Sequence, residues 1–250
     1  MEPSIGVFAD KQVGNDTLIF LLKNYAADLK FVVCIDEDSI VYKTLLEFNY
    51  TGKIYFNAQL SNATIIAELK NYAVNYVLLA WWPNIIKEPV LSIPTIGVLN
   101  FHPSLLPYDR GKNYNFWTIV DGSPFGVSIH FVDEKIDNGD IVFQKEIIKD
   151  WTDTGESLYK KASTALLELF SEKYPDIRRH NYTKIPQEHG AGSFHYGKEM
   201  LAASKIDLNK EYTALNLLNL LRAKTFSPHP AAWFEDEGQK YEVQINIRKI

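Results

Sequence analysis

The sequence predicts an α/β fold: a Rossmann-like, mostly parallel sheet flanked by helices, followed by a small C-terminal α+β appendage. Three observations carry this expectation. Short runs rich in Val, Ile, Phe and Tyr alternate with longer helical patterns through the first hundred residues. Those runs show little strict polar alternation, as expected where both faces of a sheet are covered. The pattern then changes at residue 126 and again beyond residue 185. Strands that alternate with helices imply right-handed crossovers and parallel pairing.

In chain order, "SIGVFA", "FVVCI", "KIYF", "YVLLAW" and "TIGVLNF" read as strands. Between them lie "NDTLIFLLKNYAADL", with Asn15, Asp16 and Thr17 as caps, and "NATIIAELKNYAV", which Asn62 caps. From residue 126, "GVSIHFVD" and "DIVFQKEI" are strands separated by "EKIDNG", a polar turn containing Asn138-Gly139. The helix "TDTGESLYKKASTALLELFSEK" follows, capped by Asp153 or Thr154, with Leu158, Ala162, Ala165, Leu166 and Leu169 on one face. Periodicity fades over 181–195, which reads as a linker and divides the chain into domains 1–185 and 186–250. A second helix, "EYTALNLLNLLRA", precedes "TFSPHPAAWF", where X-Pro steps force an extended path. At the end Tyr241, Val243, Ile245 and Ile247 alternate with polar residues, the pattern of a half-buried strand.

Composition narrows the function classes. The 250 residues are 46% hydrophobic, enough to bury a core, and the single cysteine, Cys34, lies in an apolar run as a small buried hydrophobe in a reducing compartment. A disulfide scaffold is thereby excluded. A net charge of -5 gives no general basic surface, which argues against a large RNA partner. The N-terminus has no basic region leading into an apolar one, and no apolar run approaches the roughly 20 residues of a membrane span. A cytoplasmic protein with no membrane partner is expected.

The chemistry concentrates in "VLNFHPSLLP", residues 98–107. On a strand, residues two apart face the same way, so Asn100 and His102 project together. Pro103 ends the strand at His102, and ligands of parallel sheets bind at the carboxyl ends of strands. An amide offers donor hydrogens to a developing oxyanion, while an imidazole moves protons near pH 7. Those are the two needs of acyl transfer. The alternative is a turn-capping Asn beside a satisfied, partly buried His. Asp137, on the polar turn, is a carboxylate that could fix the His102 tautomer. His130 reads as structural, and His180 and His189 as surface residues. No Cys or His cluster has metal-ligand spacing, so no metal is expected.

Taken in order, Asn100-x-His102-Pro103-Ser104-Leu105-Leu106-Pro107, Arg110-Gly111, Gly126-x-Ser128-x-His130 and Ile136-Asp137-x-Gly139-Asp140-Ile141 resemble the folate-dependent formyltransferase family, over about residues 75–170. The resemblance implies a catalytic Asn100, His102 and Asp137, and 10-formyltetrahydrofolate as formyl donor. It places the pterin ring between a wall of Trp82, Pro83, Ile85 and Ile86 and the turn bearing Asp133 and Ile136. An apolar wall facing backbone polar groups suits a small-ligand pocket. Trp81 and Trp82 read equally well as a core aromatic cluster.

Within that family, the first strand here leads into "FADKQVGNDTL", with one glycine. That differs from the glycine-rich phosphate loop of glycinamide ribonucleotide enzymes. The near-neutral C-terminal part differs from the basic RNA platform of methionyl-tRNA formyltransferases. "SFHYGKEM" and "HPAAWFEDEGQKYEV" are instead similar to nucleotide-sugar N-formyltransferases acting on dTDP-linked amino sugars. This implies a nucleotide-linked 3- or 4-amino sugar as acceptor, for bacterial surface polysaccharide synthesis. It also implies Ser104, Tyr196, Lys198 and Arg222 as substrate-binding residues, His195 and His229 bordering the sugar site, and a homodimer. Methionyl-tRNA formylation, and a non-catalytic folate- or nucleotide-binding module, stand as alternatives.

Overall fold

β1 (Ile5–Ala9) is buried at every position, as a strand covered on both faces should be. It belongs to a computed structural model that describes residues 3–188 and 190–250. The chain packs as two units: one takes residues through 102 with 128–144 and 166–187, the other takes 103–127, 145–165 and 188 onward. The chain crosses between the two units five times, at 102/103, 127/128, 144/145, 165/166 and 187/188.

The first unit follows the predicted alternation. β1 is followed by α1 (Lys11–Asn24), β2 (Leu29–Cys34), α2 (Ile40–Glu47), β3 (Lys53–Phe56), α3 (Ala63–Asn71), β4 (Tyr76–Ala80) and β5 (Gly97–His102). β6 (Gly126–Phe131) and β7 (Ile141–Glu146) complete a seven-stranded sheet in the order β3-β2-β1-β4-β5-β6-β7. The first five strands pair parallel, and β6 runs antiparallel to β5. Phe8, Phe31, Val77, Leu79 and Val98 from the sheet meet Ile66 and Leu69 of α3 in one core cluster. Each such side chain removed from water stabilises the fold by about 1.5–3 kcal/mol.

Two helices depart from expectation. α1 begins at Lys11, and Asn15 and Thr17 are buried within it rather than capping it. Gly14 explains the early start: a Cβ there would stand 2.5 Å from the Ala80 carbonyl oxygen, so only glycine lets the first turn lie this close to the sheet. α2 was not foreseen, because eight residues show too few turns for a period to emerge. Its Ser39 cap accepts from the Tyr42 amide. Asn62 caps α3 as expected, accepting from Thr64.

The long helix Gly155–Arg178 carries Phe170 against Phe20 and Phe101. Near its end, the buried Asp28 carboxylate accepts from Arg178 Nε and Nη2 and from the Tyr174 hydroxyl. This ties the helix terminus to the segment before β2.

In the second unit, helices Tyr114–Val120 and Ala214–Lys224 accompany a hairpin of Ala232–Asp236 with Gln239–Val243. Its turn, Glu237-Gly238, has both φ values positive, as a type I′ hairpin loop requires. The strand expected to begin at Tyr241 therefore starts earlier and stops at Val243, because it pairs with 232–236. Tyr241 is exposed, whereas Val243, Ile245 and Ile247 stay half-buried, so the alternation persists beyond the hydrogen-bonded ladder.

Candidate functional site

β5 places Asn100 and His102 on one face at the carboxyl end of a central strand, and it ends at His102, before Pro103. The register sets their neighbours. Asn100 lies opposite Leu79 of β4 on one side and His130 of β6 on the other. The chain leaving β4 therefore starts beside Asn100. Trp81, the first residue after β4, turns away with φ 59°, an uncommon conformation for a bulky residue. Asp137 also lies in the left-handed region, at φ 51°. Strained residues of this kind persist where surrounding structure holds them, and they concentrate at functional sites.

Asp137 reaches back from its turn to the strand tip. Its Oδ1 is 3.5 Å from His102 Nδ1, 3.5 Å from Asn100 Nδ2 and 3.8 Å from His130 Nε2. These are loose contacts, of the length that tightens when a reacting group enters. His102 is only 4% exposed, and its Nε2 is buried with no hydrogen-bond partner among the described residues. With Nδ1 facing a carboxylate, the Nε2 lone pair is the one left for a ligand proton. The sequence-predicted Asn100, His102 and Asp137 thus come together.

His130 joins them, although its sequence context read as structural. It is 1% exposed, with Nε2 3.2 Å from Asn100 Nδ2 and Nδ1 2.7 Å from its neighbour's carbonyl, Phe131 O. Burial pushes its pKa down to about 4, against an opposing pull from Asp137; His102 lowers it further, while the Phe131 carbonyl and Asp133 raise it. An unfolded histidine binds its proton near pH 6.5, so between about pH 6.5 and 4 the unfolded chain holds more protons than the native one. Stability contributed by neutral His130 is complete above that window and is lost through it, by roughly 3 kcal/mol. Urea unfolding at pH 7 and pH 4.5 should show this decline, and His130→Gln should flatten it. Equal slopes for both proteins would contradict the assignment.

The turn that carries Asp137 is itself held. Gln187 Nε2 donates to the carbonyls of Asp137 and Gly139, at 3.0 and 2.8 Å. A Cβ on Gly139 would stand 2.1 Å from Phe131 O, the carbonyl that His130 uses. Gly139→Ala must therefore move the backbone beneath Asp137 and His130 together. Misplacement by about 1 Å can cost 100-fold in rate, and a loss of that order in kcat/KM is expected. Unchanged turnover would show that the turn does not position the site.

The wall expected from residues 82–86 is mixed in character. Ile86 belongs to the core cluster, with Trp82 packed against it 5.3 Å from Phe8, while Pro83 is exposed and Ile85 is 64% exposed. Trp82 Nε1 is buried with no partner among the described residues. Across the strand tip, Asp133 accepts from the Lys135 amide and from Asn138, and Ile136 is exposed. Each segment thus keeps one exposed isoleucine, Ile85 and Ile136.

The residues predicted to bind substrate fare differently. Ser104 is buried and donates to the Tyr108 carbonyl at 2.7 Å, which closes its own loop. Arg222 is also buried. Its Nε bonds Asn219, its Nη1 donates to the carbonyls of Asp150 and Asp153, and Trp151 covers its face. These contacts turn its guanidinium inward, within its own unit. Tyr196 and Lys198 are exposed; Tyr196 packs beside Phe194. His195 stacks on Trp117 at 3.9 Å and meets Asp121 through Nε2, while His229 is exposed. His180 is exposed but holds the Tyr76 hydroxyl at 2.6 Å, and His189 lies outside the described residues.

His102, His130 and Asp137 bring ligand atoms within 4.8 Å of one another, as does the group Asp109, Asp121 and His195. Sequence spacing could not foresee either group. In the first, the Asn100 amide directs a hydrogen at His130 Nε2, where a cation would have to sit. In the second, the Asp109 carboxylate already accepts from Ser123 and Ser193.

Comparison with known proteins identifies the family. Residues 16–173 match the family model for formyl transferase, and residues 199–249 match that for the N-formyltransferase dimerization C-terminal domain. A dTDP-4-amino-4,6-dideoxyglucose formyltransferase of Mycobacterium tuberculosis is 34% identical over 160 residues, covering 63% of this chain and 67% of that protein. A solved sugar N-formyltransferase from Shewanella has a TM-score of 0.80 at 19% identity, covering 99% of each chain. An N-formyltransferase from Helicobacter canadensis, solved with folinic acid and dTDP-3-aminofucose, has a TM-score of 0.71 at 18% identity over 95% of this chain and 86% of that one. At those identities the two structures establish the shared fold.

Proposed function

The chain belongs to the formyl transferase family, and from that premise we propose that it transfers a formyl group from 10-formyltetrahydrofolate to the amine of a dTDP-linked 3- or 4-amino sugar. The cluster of Asn100, His102 and Asp137 at one strand tip is the observation that carries this reading. The amine nitrogen attacks the formyl carbon, and the bond from that carbon to the folate nitrogen breaks. Asn100 Nδ2 donates to the formyl oxygen as it gains negative charge. His102 Nε2 takes the proton released by the attacking amine and returns it to the departing folate nitrogen. Asp137 holds His102 Nδ1–H, and so keeps the other ring nitrogen as acceptor.

Two buried groups without partners, His102 Nε2 and Trp82 Nε1, suit a ligand lying across the strand tip. Exposed Ile85 and Ile136 offer it apolar faces. Tyr196 and Lys198 remain as exposed candidates for the nucleotide, where an aromatic ring suits a base and an ammonium a phosphate. The names of the relatives support a dTDP-amino sugar as acceptor. The match to a dimerization domain, over which Leu201, Leu208, Leu215 and Tyr241 are exposed, supports a homodimer. In this reading the enzyme works in the cytoplasm and supplies a bacterial surface polysaccharide. No helix among the described residues is long and apolar enough to cross a membrane.

The decisive assay incubates the protein with 10-formyltetrahydrofolate and a panel of dTDP-, UDP- and GDP-linked amino sugars. One formyl mass should be gained by a dTDP-linked member. Formylation of initiator methionyl-tRNA alone, or of nothing, overturns the proposal.

A further inference from the structure

The hydrogen atoms around His130 can be assigned from chemistry. Nδ1 lies 2.7 Å from the Phe131 carbonyl oxygen, which can only accept, so Nδ1 carries the proton of the neutral ring. Nε2 is then a bare lone pair. The atom of Asn100 that faces it at 3.2 Å must be a donor, which fixes Nδ2 there and turns Oδ1 away. In the flipped amide, two lone pairs would face each other inside a buried site. One Nδ2 hydrogen is thereby held by His130, and the other lies in the looser 3.5 Å contact with Asp137 Oδ1.

We propose that His130 is a positioning residue for the reaction: it acts as a neutral hydrogen-bond acceptor that locks the Asn100 amide in the orientation presenting its second Nδ2 hydrogen to the formyl oxygen. The inference rests on the function proposed above. The weaker hold of Asp137 lets that N–H redirect its hydrogen bond to the formyl oxygen as negative charge develops. A protonated His130, or one carrying its proton on Nε2, would instead attract Oδ1 and remove the donor. Burial opposes the first state and the Phe131 carbonyl opposes the second. The groups facing the ring are Asp137, Asp133 and His102, and of these only His102 disfavours its charge.

The test uses the full chain. In protein labelled with nitrogen-15, the His130 imidazole should show a protonated Nδ1 and a bare Nε2 from pH 5.5 to 8, with a scalar coupling across Nε2 to Asn100 Nδ2. In turnover with 10-formyltetrahydrofolate and dTDP-4-amino-4,6-dideoxyglucose, His130→Leu should lower kcat by about 10- to 100-fold and leave both KM values within about twofold. His130→Gln, which returns an acceptor, should recover most of that loss. A proton on Nε2, wild-type kcat in folded His130→Leu, or equal losses in both variants with raised KM and lowered Tm would each overturn the proposal. Absence of formyl transfer by the unmodified protein would instead refute the proposed function, and the spectrum would still report the tautomer.

Discussion

Asn100→Ala is expected to lower kcat by about 100- to 1000-fold, the usual consequence of removing one preorganised oxyanion donor. The amide contributes only where charge develops, so the KM values for folate and sugar should change little. The structural consequence is modest by comparison. Asn100 is half-buried, and its removal leaves His130 Nε2 without a hydrogen-bond donor, a cost of about 1–3 kcal/mol. Circular dichroism and urea unfolding should therefore show a folded, slightly weakened protein. A folded Asn100→Ala enzyme with undiminished turnover would remove the amide from the mechanism.

His102→Asn should be comparably severe, because general acid–base catalysis contributes about 100- to 10,000-fold. Asparagine preserves a polar side chain near Asp137, but it has no basic lone pair where His102 Nε2 stands, and the amine proton then has no acceptor. The buried, unpartnered Nε2 is the feature that singles out this nitrogen. Single-turnover measurements should show the loss in the chemical step, with binding of both substrates retained. Retention of more than half the wild-type rate in a folded variant would assign proton transfer elsewhere.

Much of this site was written locally. Asn100 and His102 are two residues apart on a strand that a proline must end, so their common face and their place at the sheet's carboxyl edge follow from short-range rules. Asp137 stood on a recognisable polar turn, yet nothing local says that a turn 37 positions beyond Asn100 bends back to it; only the resemblance supplied that link. His130 was passed over for a related reason. It faces Asn100 only because β6 pairs with β5 in one register, and that register is set across residues 103–125, by packing no periodicity records. A register shifted by one would have turned His130 to the opposite face.

Burial of charged and apolar side chains was the least legible feature. Arg222 was expected at the substrate, and the backbone carbonyls of Asp150 and Asp153 give it interior partners that a sequence does not display. Ile86 looked like pocket lining and packs in the core, while its neighbour Ile85 is exposed. The run "WWPNII" has no period to tell the two faces apart, because it is a loop rather than a helix or strand. The early start of α1 was likewise hidden, as it depends on the closeness of Gly14 to the Ala80 carbonyl.

The arrangement around one carbonyl carbon is tested most directly by a crystal structure of the protein with dTDP and a stable formylated folate. The formyl oxygen should lie about 2.7–3.1 Å from Asn100 Nδ2, with His102 Nε2 turned toward the side from which the amine arrives and Asp137 still on Nδ1. A formyl group bound away from β5, or one whose oxygen is met by other donors while Asn100 and His102 face elsewhere, would contradict the account.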